Sequence, residues 1–454
     1  MDTIAAISTP AGVGGIAVVR VSGAKAQGLA ANHVTMPKSS EPHRPSVGYS
    51  LFRVGEKTLD EVVVTCFSAP HSYTGEDVVE IACHGSLYVQ QAVLQAFIDG
   101  GARLAEPGEF TRRAFLNGRL DLSQAEAVAD LISSTNAGAH ALAISQLRGG
   151  YSKRLQQLRD QFVELTSLLE LELDFSDEEV EFADRSQLMS LVEKIDAECR
   201  RLSDSFRLGN AIKNGVPVAI VGRPNAGKST LLNALVGEER AIVSDIAGTT
   251  RDTIEDTFVL KGVTFRFIDT AGIRHSNDSI ELQGIERSYR AVEKAQIVLY
   301  LVDKAEADTA QQQLEEMQSQ VDMADKKVVL LLTKQDQGEA ATSAQSHLPT
   351  LAISARTGQG LAELREMLVA SINLSAEGFE ENQPPMVSNI RHYQALQSII
   401  AAISQVREGL LQQLPADLVV VDIRDALYHL GTITGQVTSD EVLGSIFSRF
   451  CIGK

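Results

Sequence analysis

The chain has 454 residues, enough for two to four domains of ordinary size. Hydrophobic residues make up 44% and charged residues 22%, a balance that suits a soluble globular protein, and no apolar run reaches the roughly 18 residues that a membrane-spanning helix needs. The formal net charge of −18 argues against nonspecific coating of nucleic acid, which requires a basic surface, but leaves room for RNA held by a local patch or a basic partner.

In chain order, Met1-Asp2-Thr3-Ile4 lacks the basic and apolar stretches of a signal peptide and the Arg-rich bias of a transit peptide, so a cytoplasmic location without membrane association is expected. Residues 1–118 mix short β-like runs such as Ile16 to Val21 and Glu61 to Phe67 with Gly and Pro turns, the texture of an α+β domain. Gly12-Val13-Gly14-Gly15-Ile16-Ala17 formally fits a dinucleotide fingerprint, but a β-rich run follows instead of a helix, so the segment reads as a turn into a strand. Residues 119–212 turn helical. Leu155, Leu158, Phe162, Leu165 and Leu169 form one apolar stripe, and Leu188, Leu191, Ile195, Cys199, Leu202 and Phe206 form another. The acidic run from Asp174 to Glu179 between them reads as a solvated turn.

Residues 213–375 alternate apolar strands with helical segments, the pattern of a parallel α/β sheet. Glu377 to Pro385 reads as a linker. In residues 376–454 helical spacing resumes at Tyr393, Leu396, Ile400, Ile403, Val406 and Leu410, and Thr438 with Glu441 suggests a capping box before Leu443. The economical organisation is one helical domain interrupted by the α/β unit; separate domains in a line are the alternative. Of the four cysteines, Cys66, Cys83 and Cys199 sit among apolar residues and read as core, while Cys451 lies near the C-terminus.

Chemistry concentrates in the α/β unit. The strand Val218 to Val221 runs into Gly222-Arg223-Pro224-Asn225-Ala226-Gly227-Lys228-Ser229 and then a helix, the phosphate-binding G-x-x-x-x-G-K-[ST] in its required setting. Its glycines let backbone N–H groups face phosphate oxygens, the helix N-terminus adds partial positive charge, Lys228 adds a full one, and the Ser229 hydroxyl suits Mg²⁺. Gly248-Thr249-Thr250-Arg251-Asp252 follows, with Thr250 placed to complete Mg²⁺ coordination. A strand ends in Asp269-Thr270-Ala271-Gly272, which places Asp269 near Mg²⁺ and the Gly272 N–H toward the γ-phosphate. Another strand ends in Thr333-Lys334-Gln335-Asp336. There an aspartate can accept both N–H groups of guanine, which adenine does not offer. The usual motif starts with Asn, so Thr333 is a departure that weakens the expected base affinity. Ser354-Ala355-Arg356 is placed to touch the base from the other side. The residues expected around GTP are Asn225, Ala226, Gly227, Lys228, Ser229, Thr230, Ser244, Asp245, Ile246, Ala247, Gly248, Thr249, Thr250, Asp269, Thr270, Ala271, Gly272, Thr333, Lys334, Asp336, Ser354, Ala355 and Arg356. Ile273 stands where many GTPases carry a water-orienting Gln.

These runs, with Ser244 to Asp252 and Asp269 to Arg274, resemble the MnmE (TrmE) family of tRNA modification GTPases. The resemblance spans the chain: Asp2-Thr3-Ile4, Thr9-Pro10, Tyr73-Thr74-Gly75-Glu76-Asp77, Pro107 to Thr111, Arg113 to Asn117, and the tail Phe450-Cys451-Ile452-Gly453-Lys454. It implies a multi-domain architecture: an α+β N-terminal folate-binding and dimerisation domain, a discontinuous α-helical domain, and an inserted Ras-like α/β P-loop GTPase domain. It implies a homodimer whose GTPase domains meet face to face with K⁺ held by Asn225, Ser244, Ile246 and Thr249, and Glu281 positioning the water. It also implies a tetrahydrofolate derivative held by Arg20, Glu80, Arg119 and Lys454, where Arg119 replaces a familiar Lys, and a candidate catalytic role for Cys451. With an FAD-dependent partner, MnmG (GidA), in an expected heterotetramer, such an enzyme would install an aminomethyl or carboxymethylaminomethyl group at C5 of the tRNA wobble uridine. A ribosome-assembly GTPase acting as an RNA-binding switch is the alternative.

Overall fold

The computed structural model describes residues 2–38, 44–174, 185–237, 256–268, 281–337, 347–372, 385–448 and 450–454; for 171–174 and 281–287 the backbone alone is described. The chain divides into two compact units. One comprises residues 1–129, 146–167 and 420–454, the other residues 130–145 and 168–419.

The first unit is built on a six-stranded sheet of β1 (Ile4–Ile7), β2 (Ile16–Ser22), β3 (Ser46–Val54), β4 (Lys57–Phe67), β5 (Val78–His84) and β6 (Arg103–Leu104). Its order is β3-β4-β5-β2-β1-β6, antiparallel except for β1 with β6. Strand alternation sends Val62, Val64 and Cys66 inward, where Phe52, Val19, Val21 and Ile81 join Val93 and Phe97 of the helix Leu87–Asp99 in one core. Gly12 to Gly15 does lead into a strand, β2. Gln90 fastens that loop by donating to Gly12 O and Gly85 O.

At the other end of this unit the helices Glu109–Leu116, Leu122–Ser133 and Asp440–Phe447 meet around Leu122, Ala125, Phe447 and Phe450. The C-terminal helix is capped one residue later than expected. Ser439, extended at φ −114, accepts from Val442 N at 3.3 Å, and Glu441 falls in the first turn, where its charge suits the helix dipole. Thr438 lies one position too far from the first helical N–H groups to serve.

The second unit contains β7 (Val216–Gly222), β8 (Asp256–Leu260), β9 (Val263–Phe267), β10 (Ile297–Asp303), β11 (Lys327–Thr333) and β12 (Thr350–Ala352), ordered β12-β11-β10-β7-β9-β8. All pairs are parallel except the β8–β9 hairpin. Successive residues of the central strands enter two different cores. Ile297, Leu299 and Leu301 face the helices Lys228–Gly237 and Leu361–Ser371, whereas Val298, Tyr300 and Val302 face Glu281–Lys294 and Ala310–Gln318. That double burial is why these strands read as uninterrupted apolar runs.

The helix Ala137–Leu147 attaches to this sheet through its N-cap. Asn136 accepts from Ala139 N at 2.8 Å and donates to Thr264 Oγ1 at 2.8 Å, and Leu142 joins the sheet core. The long helices Arg185–Asp204 and Ile390–Leu411 lie against each other, with Gln397 donating to Ser203 Oγ at 2.6 Å and Phe206 stacked on Tyr393 at 4.5 Å. The stripe Leu155, Leu158, Phe162, Leu165, Leu169 is buried throughout. In the second stripe Val192, not Leu191, is the fully buried residue, because 188, 192, 195, 199 and 202 track the 3.6-residue period more closely. Cys66, Cys83 and Cys199 are buried, and burial pushes the Cys199 thiol up to about 12; Cys451 is exposed. Of the acidic turn, Glu179 and its neighbours from 175 onward lie outside the described residues, as does most of the linker from Glu377.

Candidate functional site

The C-terminal tips of β7, β10, β11 and β12 lie side by side, where open parallel sheets place their ligands. β7 ends at Gly222, whose φ of +147 and contact with Leu301 O leave no space for a side chain. The loop then turns through Asn225 (φ 62) and Gly227 (φ 95) into the helix that starts at Lys228. Two left-handed residues within three positions curl the backbone so that consecutive N–H groups share a concave side, the basis of an anion-binding nest. The Lys228 ammonium donates to Gly222 O at 2.7 Å and Arg223 O at 2.8 Å, arching over the loop, and burial pushes its pKa down. Ser229 and Thr230 occupy the first turn of the helix.

The tip of β11 is fastened residue by residue. Thr333, 5% exposed, has its hydroxyl 2.8 Å from Ala226 O and 3.2 Å from Val302 O. Lys334, at φ 61, places its ammonium 2.6 Å from Asp303 Oδ2, at the tip of β10. Asp303 would be raised by burial, but Lys334 and the Ala305 N–H outweigh that and hold it below the usual carboxylate range. Gln335 donates from its backbone N–H to Ile353 O at 3.3 Å. Asp336 accepts from the buried Ser354 hydroxyl at 2.7 Å, which lowers its pKa and keeps it a charged acceptor. Ala355 and Arg356 follow on the same loop, closed by Gly358 N donating to Ser354 O at 2.9 Å.

Thus Asn225 to Thr230, Thr333, Lys334, Asp336 and Ser354 to Arg356 come together at one end of the sheet. Ser244, Asp245, Ile246, Ala247, Gly248, Thr249, Thr250, Asp269, Thr270, Ala271 and Gly272 lie outside the described residues, and Glu281 is described only as the first residue of its helix. Asp303 was missed by motif reading, although an acid closing the apolar run from Ile297 marks a strand tip. The ion pair of Arg223 with Glu306 at 3.3 Å carried no sequence signal, although Arg223 lies within the phosphate-loop motif.

In the first unit Arg20 and Glu80 are register partners on β2 and β5, and Arg20 Nε and Nη2 both reach Glu80 Oε1 at 2.8 Å. The Arg20 guanidinium also lies 5.4 Å from the Tyr73 ring and 5.5 Å from that of Phe110. The tail runs back to this sheet. Ile452 bridges Pro107, Ser8 donates to Gly453 O at 3.0 Å, and Gly453 (φ 95) packs against Ile7 O so closely that a side chain would not fit. This brings Cys451 and Lys454 to the end of β1, the strand next to Arg20. Arg119 lies against Gly75, in the loop that carries Tyr73.

The other charged motif residues of this unit form a network around the buried Arg113 and Glu109. Arg113, 3% exposed, meets Asp2 Oδ1 at 2.7 Å, Glu109 Oε1 at 3.0 Å and Glu76 at 3.2 Å. Arg103 adds bonds of 2.7 Å to Asp2 and 2.6 Å to Glu109, and Ser22 donates to Glu76 at 2.7 Å. Burial pushes Glu109 up, but Arg103, the Glu106 N–H and Arg113 outweigh it and hold the carboxyl low, while hydrogen bonding from Arg103 lowers Asp2 to about 2. Among the described residues no His, Cys, Asp and Glu cluster could hold a metal ion, and no helix is long and apolar enough to cross a membrane.

A strand–loop–helix P-loop beside the Thr333 to Asp336 strand tip, on a parallel sheet with one antiparallel edge, defines a P-loop GTPase. Comparison with known proteins narrows this. Residues 3–119 match the family model described as GTP-binding protein TrmE N-terminus, and residues 122–451 match that of the MnmE helical domain. The tRNA modification GTPase MnmE of Parabacteroides distasonis is 49% identical, with both chains covered in full. That of Christiangramia forsetii is 47% identical over 100% of this chain and 99% of its own. The G domain of the Thermotoga maritima iron transporter FeoB (27% identity, 34% of this chain and 98% of that one) aligns with a TM-score of 0.24, too weak a likeness to add to the family match. The chain belongs to the MnmE family of tRNA modification GTPases.

Proposed function

We propose that this GTPase, acting with an FAD-dependent MnmG-type partner, installs an aminomethyl or carboxymethylaminomethyl group at C5 of the tRNA wobble uridine. The observation that carries the nucleotide half of this reading is the convergence of Lys228, Asp336 and Ser354 at the tips of the parallel strands. The curled 222–228 backbone and Lys228 bind the phosphates, and Asp336, held by Ser354, selects guanine. Ser229 and Thr250 are the proposed Mg²⁺ ligands. Asn225, Ser244, Ile246 and Thr249 are the proposed K⁺ ligands, and Glu281 orients the water. A cation there would offset charge developing on the phosphates.

For the folate half, Arg20 fixes Glu80 through one oxygen, so Oε2 can meet the paired N–H donors of a pterin, and the docked tail supplies Lys454 for a glutamate carboxylate. A bound tetrahydrofolate derivative would supply the one-carbon unit. Arg119 and Cys451 belong to the same proposal. We assign the domains as 1–118 for folate binding and dimerisation, 119–212 and 376–454 for the helical domain, and 213–375 for the GTPase, in a cytoplasmic homodimer that joins its partner as a heterotetramer.

Mass spectrometry of wobble uridines tests the assignment. A strain lacking the gene should lose the C5 substituent and regain it on complementation; an unchanged uridine profile contradicts it. GTP turnover compared in KCl and NaCl tests the cation, with equal rates removing the potassium site.

A further inference from the structure

We infer that Thr333 is a positioning residue, whose hydroxyl braces the phosphate-binding loop against the base-reading strand and does not read the base. The inference rests on this end of the sheet being the GTP site. A threonine hydroxyl has one proton to donate, and both of its neighbours, Ala226 O at 2.8 Å and Val302 O at 3.2 Å, are carbonyls that only accept. The proton therefore goes to the nearer, Ala226. The edge of guanine that bears N7 and O6 also presents acceptors only, so a hydroxyl already donating to Ala226 has nothing to give it.

The location of the braced carbonyl explains its importance. Ala226 sits between Asn225 and Gly227, the two left-handed residues that curl the loop. Gly227 lies against Thr333 as well: a side chain built there would come within 3.9 Å of its Cβ and Oγ1. Of the four residues 333–336, Thr333 is the one tied to the phosphate loop. Lys334 is held by Asp303 on β10, Gln335 by Ile353, and Asp336 by Ser354. The departure from Asn at this position thus separates two duties along the strand tip: Thr333 sets the phosphate loop and Asp336 chooses the base.

Equilibrium binding of GTP and of ITP, which lacks the 2-amino group that Asp336 reads, tests this on the full chain. Thr333→Val should weaken both nucleotides about three- to tenfold, the range expected for one hydrogen bond, and leave the GTP to ITP ratio at the wild-type value. Thr333→Ser, which keeps the hydroxyl, should bind like the wild type. Wild-type affinity for Thr333→Val, a changed ratio, or a Ser variant as weak as the Val variant would each overturn the inference. Should the Val variant not fold, Thr333→Cys, a weak donor of similar size, takes its place: weaker binding at an unchanged ratio is expected, and tight binding would count against the brace. The wild-type preference for GTP over ITP, read in the same titration, tests the nucleotide site itself independently of Thr333.

Discussion

The two six-stranded sheets handle their charged residues in opposite ways. In the parallel sheet, Lys228, Asp303, Lys334 and Asp336 sit at strand tips or in the loops beyond them, on short tethers, with polar atoms left over for a ligand. In the N-terminal unit, Asp2, Glu76, Arg103, Glu109 and Arg113 turn toward one another across as many as 111 positions of sequence. Most members of both groups belong to motifs of the sequence, Asp303 and Arg103 excepted. The first group is tethered at strand ends, where the proposed nucleotide would lie, and the second ties Asp2, Glu76, Glu109 and two arginines to one another. Motif density alone does not tell these apart; the direction of the hydrogen bonds does.

Substitutions should separate the two groups. The largest effect is expected for Lys228→Ala, which removes the full positive charge from the phosphate loop and should lower GTP turnover by about 100-fold or more in a steady-state phosphate-release assay, with little change in thermal stability. Arg113→Met should do the reverse. It strands buried carboxylates and should cost about 3–5 kcal/mol in denaturant unfolding of the first unit, while the KM for GTP stays near wild type. A KM that rises in parallel would break the distinction. Arg20→Met should weaken binding of a reduced folate about tenfold by releasing Glu80, again without effect on GTP turnover.

The smallest effect concerns pH. Asp2 and Glu109 have folded pKa values below their ordinary ones, so their contribution to stability is fully present above the ordinary carboxylate range of about 4 and is lost as pH falls through the folded values, about 2 for Asp2. Asp2→Asn should therefore flatten the acid limb of the melting-temperature profile between roughly pH 4 and pH 2 and leave the neutral plateau almost untouched, since the Asp2 side chain is half exposed. An acid limb unchanged in the variant would show that Asp2 does not contribute there.

What sequence could show depended on range. The phosphate loop is local: Gly222 to Ser229 carries its own turn geometry, so strand, loop and helix were all legible. Asp336 was legible for the same reason, as an acid just past an apolar strand. The contact of Thr333 with Ala226, 107 residues away, was not, because no spacing reveals it. Neither was the pairing of Arg113 with Asp2 and Glu76, nor the return of Gly453 to Ser8 from the far end of the chain. Helix faces were legible to within one residue: Val192 displaced Leu191, and Ser439 displaced Thr438 at the cap, because periodicity fixes a stripe less sharply than it fixes a helix.

Replacing Asp336 tests the proposed choice of guanine most directly. Xanthine carries a carbonyl where guanine carries its amino group, so Asp336→Asn should exchange an acceptor for a donor and invert the preference. Competitive binding should show the wild type holding GTP far above XTP, and the variant holding XTP above GTP. A variant that still prefers GTP would contradict the claim that guanine is read by Asp336 at the tip of β11.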